Sequence, residues 1–142
     1  MSSKKLLLIA PVFEPLHNQI IESLNKMGYD VTHIPDIVQQ FSPYPCKTPF
    51  KTIKKAIYRI YNLNLRYHRK FQDIYDQSWD ILLCIDGWSI EPKIIEQIKF
   101  NNPKIKTYYY LWDSTKFYNF SKNFHIFDRV FSSMFSFLNQ KS

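Results

Sequence analysis

The sequence predicts one α/β domain with an open parallel sheet of about five strands and helices on both faces. Apolar runs such as residues 5–10 and 80–85 do not alternate with polar residues, which is typical of strands buried on both faces. Segments with helical spacing of apolar residues separate these runs, and such alternation favours a parallel sheet. A chain of 142 residues is enough for one sizeable core and too short for two ordinary domains.

The start of the chain predicts a β-α-β unit with a right-handed crossover. Residues 5–10 form its first strand and residues 29–34 its second. Pro15 suits the first position of the intervening helix, and Gly28 suits its C-terminal stop. The apolar residues between them recur at helical spacing: Leu16, Ile20, Leu24 and Met27.

A long basic helix is predicted from Thr48-Pro49 to about Asp76, after a loop that contains four prolines. A break is expected near residues 62–64. The predicted apolar face consists of Ile53, Ile57, Ile60, Tyr67, Phe71 and Ile74. The basic residues roughly opposite are Lys51, Lys55, Arg59, Arg66, Arg69 and Lys70.

Three interpretations of this basic surface stay open. The net charge is +7, and no acidic residue occurs between Asp36 and Asp73, so an anionic neighbour is favoured. A solvated helix face is the plainest interpretation. Binding of an anionic membrane by the six basic residues is the next. Nucleic acid is an unlikely partner, because Tyr67 and Phe71 fall on the apolar side and are not available for stacking.

The second half of the chain predicts the remaining strands in order. Residues 80–85 form the third strand, and a helix opens at Glu91-Pro92 and ends at residues 101–103. Residues 105–111 form the fourth strand. Residues 120–127 are expected to be a short helix or loop, followed by a short fifth strand over residues 129–131.

Several functional classes are disfavoured by missing motifs. The two glycines allow neither G-x-G-x-x-G nor a P-loop, which argues against nucleotide-binding Rossmann dehydrogenases and P-loop proteins. A response-regulator receiver is disfavoured because residues 9–12, after the first strand, are not acidic. The histidines and the cysteines, Cys46 and Cys84, have no metal-ligand spacing, so we expect no metal and no cofactor. The apolar runs are too short for a membrane span or a signal-peptide core, which favours a cytoplasmic protein.

The candidate binding residues follow two consecutive strands. Asp86, Gly87 and Trp88 follow the third strand, and Trp112, Asp113 and Ser114 follow the fourth. The carboxyl ends of parallel strands meet at one edge, where ligands bind in open α/β sheets. Aromatic rings beside carboxylates suit a sugar, although turns capped by Ser89 or Asp113 would explain the same residues. His17, after the first strand, is the one histidine expected near this edge.

Four segments resemble the N-terminal half of bacterial GT-B glycosyltransferases of the CgeB-like kind, which act in lipopolysaccharide and capsule biosynthesis. They are the opening strand at 5–11, the long basic helix, the segment 79–92, and Tyr110-Leu111-Trp112-Asp113-Ser114 with 127–132. The last of these is the most specific, and the resemblance covers roughly residues 5–132.

The resemblance implies that residues 1–132 are a Rossmann-like, acceptor-side domain and that residues 133–142 are an atypical C-terminal tail. It implies a nucleotide-sugar donor and a glycan or lipid-linked acceptor only if a second domain completes the site. The chain alone is therefore expected to be an inactive part of a transferase. The alternative is a non-enzymatic α/β module that binds a partner protein and has a membrane-facing basic helix.

Overall fold

The computed structural model describes residues 2–12, 14–36, 49–67, 69–86, 90–112 and 121–132. Within the helices, the side chains at 49–52, 54–55, 58, 66–67, 69–72 and 121–122 are not part of this description. None of the helices in these ranges is long and apolar enough to cross a membrane. The predicted tail, residues 133–142, lies outside the described residues.

The order of strands and helices is the one that the sequence predicts. The strands are β1 (Lys4–Pro11), β2 (Tyr29–Asp36), β3 (Ile81–Ile85), β4 (Lys106–Leu111) and β5 (Arg129–Ser132). The helices are α1 (Leu16–Lys26), α2 (Pro49–Tyr67), α3 (Arg69–Asp76) and α4 (Pro92–Asn101), with a 3-10 helix at Ser121–Ile126. Gly28 follows α1 with a φ of 91°, a left-handed conformation that glycine adopts without strain.

The five strands form one parallel sheet in the order β2-β1-β3-β4-β5. This confirms the predicted Rossmann-like α/β class with helices on both faces. The chain moves outward from β1 to β2 and then returns to place β3 on the other side of β1. The order therefore reverses between β1 and β3, which creates a crevice at the carboxyl edge.

Alternating strand residues divide the core into two layers. One layer lies under α1 and consists of Leu6, Leu8, Ala10 and Ile85, packed against helix residues such as Ile20 and Leu24. The larger layer lies on the opposite face, under α2, α3 and α4. Its most deeply buried members include Leu7, Ile9, Leu65, Leu82, Cys84, Ile95, Ile98 and Tyr109. Both faces of the central strands are thus covered, as expected for a parallel sheet.

Helix α2 differs from its predicted orientation. Ile53 and Ile60 were expected in the core, but their side chains are 56% and 59% exposed. Leu65 is buried instead, and at 100° per residue it lies about 130° around the helix from the centre of the Ile53–Ile60 face. The break predicted at residues 62–64 is also wrong, because α2 continues to residue 67 and α3 begins at residue 69.

Tertiary contacts explain both corrections. The Tyr61 hydroxyl donates a hydrogen bond to the carbonyl of Pro35 at the end of β2. Asn62 is buried inside the helix, and its Oδ1 accepts the N–H of Glu91 at 2.9 Å, where α4 begins. These two bonds, with Leu65 in the core, set the rotation of α2 and keep its middle helical.

Candidate functional site

The candidate site is the carboxyl edge beside the strand-order reversal. β1 and β3 are paired up to Ile9 and Cys84, and β3 and β4 are paired up to Ile85 and Tyr110. Immediately beyond them, the N–H of Asp86 donates to the carbonyl of Tyr110 at 3.1 Å. Asp86 therefore lies where the pairing of the central strands ends.

Asp86 is buried and adopts an unusual backbone conformation. Its side chain and backbone are together 1% exposed, and its φ is 59°. Aspartate is one of the few side chains found in this left-handed region, because its carboxylate can bond locally. One carboxylate oxygen, Oδ1, accepts the backbone N–H of Trp112 at 2.9 Å. The carbonyl oxygen accepts the hydroxyl of the buried Tyr109 at 2.5 Å.

These bonds connect the ends of β3 and β4. The expectation that Asp86 and Trp112 meet at one edge is confirmed, although the contact uses the Trp112 backbone. The Trp112 residue is 38% exposed. That Asp86 and Trp112 bind a ligand at this edge stays a prediction.

A second buried carboxylate, Asp36, lies at the same edge. Asp36 ends β2 opposite Pro11 of β1 and is 1% exposed. Burial raises the pKa of the Cys84 thiol, and the charges of Asp36 and Asp86 raise it further. Burial likewise raises the pKa of Tyr61, with Asp36 as the second cause. Both carboxylates thus raise the pKa of the Cys84 thiol, which lies in the core layer beneath α2.

Asp36 was not among the predicted site residues. The predicted second strand ended at residue 34, which left Asp36 in a loop, whereas the observed strand includes two further residues. The alternation of Ile34 with Asp36 is the signal that would have identified it, since every second strand residue points to the same face.

His17, which was predicted to lie near this edge, contacts Glu14 and His33, and its role as a binding residue stays a prediction. It is 8% exposed in α1, its Nε2 lies 3.6 Å from Glu14 Oε1, and its ring stacks on His33 with centroids 5.8 Å apart. His33 Nε2 donates to the Ala10 carbonyl at 2.9 Å. Burial lowers the pKa of His33, its bond to Ala10 opposes this, and His17 lowers it further. These contacts lie on the α1 side of the sheet, away from the face that carries Cys84.

Most of the other predicted binding residues either lie outside the described residues or have side chains that the structure does not describe. Those outside the described residues are Gly87, Trp88, Asp113 and Ser114. Among the six basic residues assigned to a membrane, only Arg59 has a described side chain, and it is exposed. Lys51, Lys55, Arg66, Arg69 and Lys70 belong to α2 or α3, and their side chains are not described.

The described ranges contain no group of three or more histidine, cysteine or acidic residues able to hold a metal ion. Val12 follows β1, and the next acidic residue, Glu14, accepts a hydrogen bond from Asn18 Nδ2 at 2.9 Å. The described residues therefore do not by themselves fit a resident cation.

Comparison with known proteins gives a likeness of fold. No family model matches the chain, and no curated protein matches it. A response regulator from Burkholderia pseudomallei, solved with a phosphorylated aspartic acid, calcium ion and citrate, is similar in structure, with a TM-score of 0.50 and 8% identity. The match covers 92% of this chain and 60% of that one.

The response regulator TrrA from Thermotoga maritima, in complex with Mg²⁺ and BeF, has a TM-score of 0.47 and 12% identity, with coverages of 94% and 90%. This second likeness is too weak to add an argument. The first supports the fold alone, and the chain spans 60% of the length of the Burkholderia protein.

The glycosyltransferase assignment is wrong. The similar solved structures are response regulators, and no family or sequence match supports a GT-B enzyme. The nucleotide-sugar donor and the glycan acceptor were implied by that resemblance alone, so these predicted partners are wrong as well. Residues 110–112 do mark a strand that ends at the carboxyl edge of the sheet, but this feature is common to many open parallel sheets.

Proposed function

We propose that the chain is a receiver-like regulatory module in which the Asp86 carboxylate is the switch. The observation that carries this proposal is the bond from the Trp112 N–H to Asp86 Oδ1. Among the bonds that connect the ends of β3 and β4 beside the strand-order reversal, this one depends on the Asp86 carboxylate. A chemical change at that carboxylate would alter the start of the segment that follows β4.

The change proposed is phosphorylation of Asp86. A carboxylate oxygen attacks the phosphorus of an acyl phosphate such as acetyl phosphate, and an O–P bond forms. The bond from phosphorus to the acetate oxygen breaks, and acetate leaves with the electron pair. The product carries added negative charge and three strong acceptor oxygens next to the Trp112 N–H. Support from a similar fold is the phosphorylated aspartic acid of the Burkholderia regulator.

The proposal places the chain in the cytoplasm, where small acyl phosphates and kinases occur. A cytoplasmic setting agrees with Cys84, which is free and buried.

A second candidate is a receiver-like module that works without phosphorylation. Two observations favour it: Asp86 is only 1% exposed, and Val12 follows β1 where an acidic residue would be expected. In this version Asp86 is a fixed structural acceptor for the Trp112 N–H.

Intact-mass spectrometry after treatment with acetyl phosphate and Mg²⁺ separates the two. The first candidate predicts one phosphoryl group per chain, absent in Asp86→Asn and retained in Asp30→Asn, which replaces an exposed carboxylate of β2. Asparagine can still accept the Trp112 N–H, so its effect reports the chemistry at Asp86. An unmodified wild-type chain, beside a positive-control regulator that is modified, would contradict the first candidate and support the second.

A further inference from the structure

Helix α2 has an exposed apolar stripe on the side away from the core. Ile53, Ala56, Ile60 and Leu63 are all exposed, and the three large side chains are 56%, 59% and 45% exposed. Their spacing of three, four and three residues is the a/d pattern of a helix-pairing seam. At 1.5 Å per residue the stripe is about 15 Å long.

The contacts on the opposite side of α2 hold this stripe in solvent. Tyr61 and Asn62 are bonded to Pro35 and Glu91, and Leu65 is 1% exposed. Turning the helix to bury Ile60 would break both bonds and remove Leu65 from the core. Isolated exposed apolar residues are ordinary, but four on successive turns form a continuous patch of the kind that marks an interaction site.

The charges along this stripe define its partner. With Ile53 at position a, Arg59 and Arg66 occupy the g positions, and uncharged Ile57 and Asn64 occupy e. Arg59 is exposed beside the stripe. No acidic residue occurs in α2. A matching helix would therefore need acidic residues flanking its own apolar seam.

A second copy of the chain does not meet that requirement. In an antiparallel pair the arginines at g would face one another. In a parallel pair they would face the uncharged e positions. Flanking charges of opposite sign set partner choice in paired helices, so neither arrangement is favoured.

We propose that α2 docks an acidic amphipathic helix of a different protein through Ile53, Ala56, Ile60 and Leu63, with Arg59 selecting its charge. This goes beyond the Asp86 switch and does not depend on it, since the stripe belongs to α2 alone. A two-heptad contact of this size gives modest affinity, of roughly micromolar to tens of micromolar Kd.

The test uses the full chain and a fluorescent designed peptide about three heptads long, with Ile at a, Leu at d and Glu at e and g. Fluorescence anisotropy should show saturable binding. Ile60→Asp should weaken it by at least about tenfold, because a charge would be placed at the centre of the seam. The matched control is Phe100→Ser, at an 81% exposed position of α4, which should leave binding unchanged.

Charge reversal provides the specificity test. Arg59→Glu should weaken binding of the acidic peptide. The same substitution should strengthen binding of a peptide that has Lys instead of Glu at e and g. Circular dichroism of each variant checks that the exposed substitutions preserve the fold. If Ile60→Asp affects folding, the Arg59→Glu exchange still decides the question.

Four results would overturn the proposal. They are no binding of the acidic peptide at about 100 µM, equal loss in Ile60→Asp and Phe100→Ser, and concentration-dependent self-association that Ile60→Asp abolishes. The fourth is binding to vesicles of anionic phospholipid, lost with Ile60→Asp, when the peptide does not bind. That result would instead support the membrane interpretation of the basic helix.

Discussion

Replacing Asp86 by alanine removes the acceptor of the Trp112 N–H. It also places alanine at a φ of 59°, in the left-handed region. A buried donor without an acceptor costs about 1–3 kcal/mol. The cost at Trp112 is expected to be about 1–2 kcal/mol, because this residue is 38% exposed and water can partly replace the carboxylate. The left-handed conformation adds about 1 kcal/mol for alanine relative to aspartate.

The expected loss is therefore about 2–3 kcal/mol in the free energy of unfolding, or roughly 6–12 °C in Tm for a domain of this size. Asp86→Asn should cost less than about 1 kcal/mol, because asparagine keeps the acceptor and tolerates the left-handed region. Urea unfolding followed by circular dichroism measures both values. Equal stability of the alanine and asparagine variants would refute the assigned role of the Oδ1 bond.

Three further predictions concern other parts of the fold. Asn62→Ala should lower the unfolding free energy by about 1–2 kcal/mol, since the Glu91 N–H loses its acceptor; Asn64→Ala, at an exposed position, is the control. Gly28→Ala should cost about 1 kcal/mol in the same assay through its φ of 91°, and a neutral result would contradict this. His33 has a lowered folded-state pKa, so stability should fall as pH drops below about 6.5, where the unfolded chain binds the proton first; His33→Gln should flatten that slope between pH 7 and 5.

The strands were predictable because their patterns have one physical explanation. A run such as Leu6–Ala10 has no polar alternation, and only a strand buried on both faces accommodates it in a short segment. Once the sheet is parallel, the meeting of Asp86 and Trp112 follows, since both residues come after carboxyl ends of neighbouring strands. This part of the site was accessible from sequence.

The rotation of α2 was not predictable from periodicity. The helix carries apolar residues on two sides: Ile53 and Ile60 form one stripe, and Tyr61 and Leu65 belong to the other. A helical pattern alone does not say which stripe meets the sheet. The hydrogen bonds of Tyr61 and Asn62 to distant segments decided it.

The class of protein was also beyond local sequence patterns. The run from Tyr110 to Ser114 predicted where a strand ends, and that strand end is observed at Leu111. The same segment carried the resemblance to GT-B glycosyltransferases, and that resemblance gave the wrong class of protein. Proteins of many functions share an open parallel sheet with a ligand site at its carboxyl edge. The function therefore depends on particular side chains at that edge, such as Asp86.

The proposed switch requires that phosphorylation of Asp86 change the environment of the Trp112 N–H at the end of β4. The most direct measurement is the ¹H–¹⁵N resonance of the Trp112 amide during treatment with acetyl phosphate and Mg²⁺. We expect a new Trp112 resonance whose fraction follows the phosphorylated fraction of the same sample, and no change in Asp86→Asn. Phosphorylation without any change at Trp112, or the same change in Asp86→Asn, would contradict it.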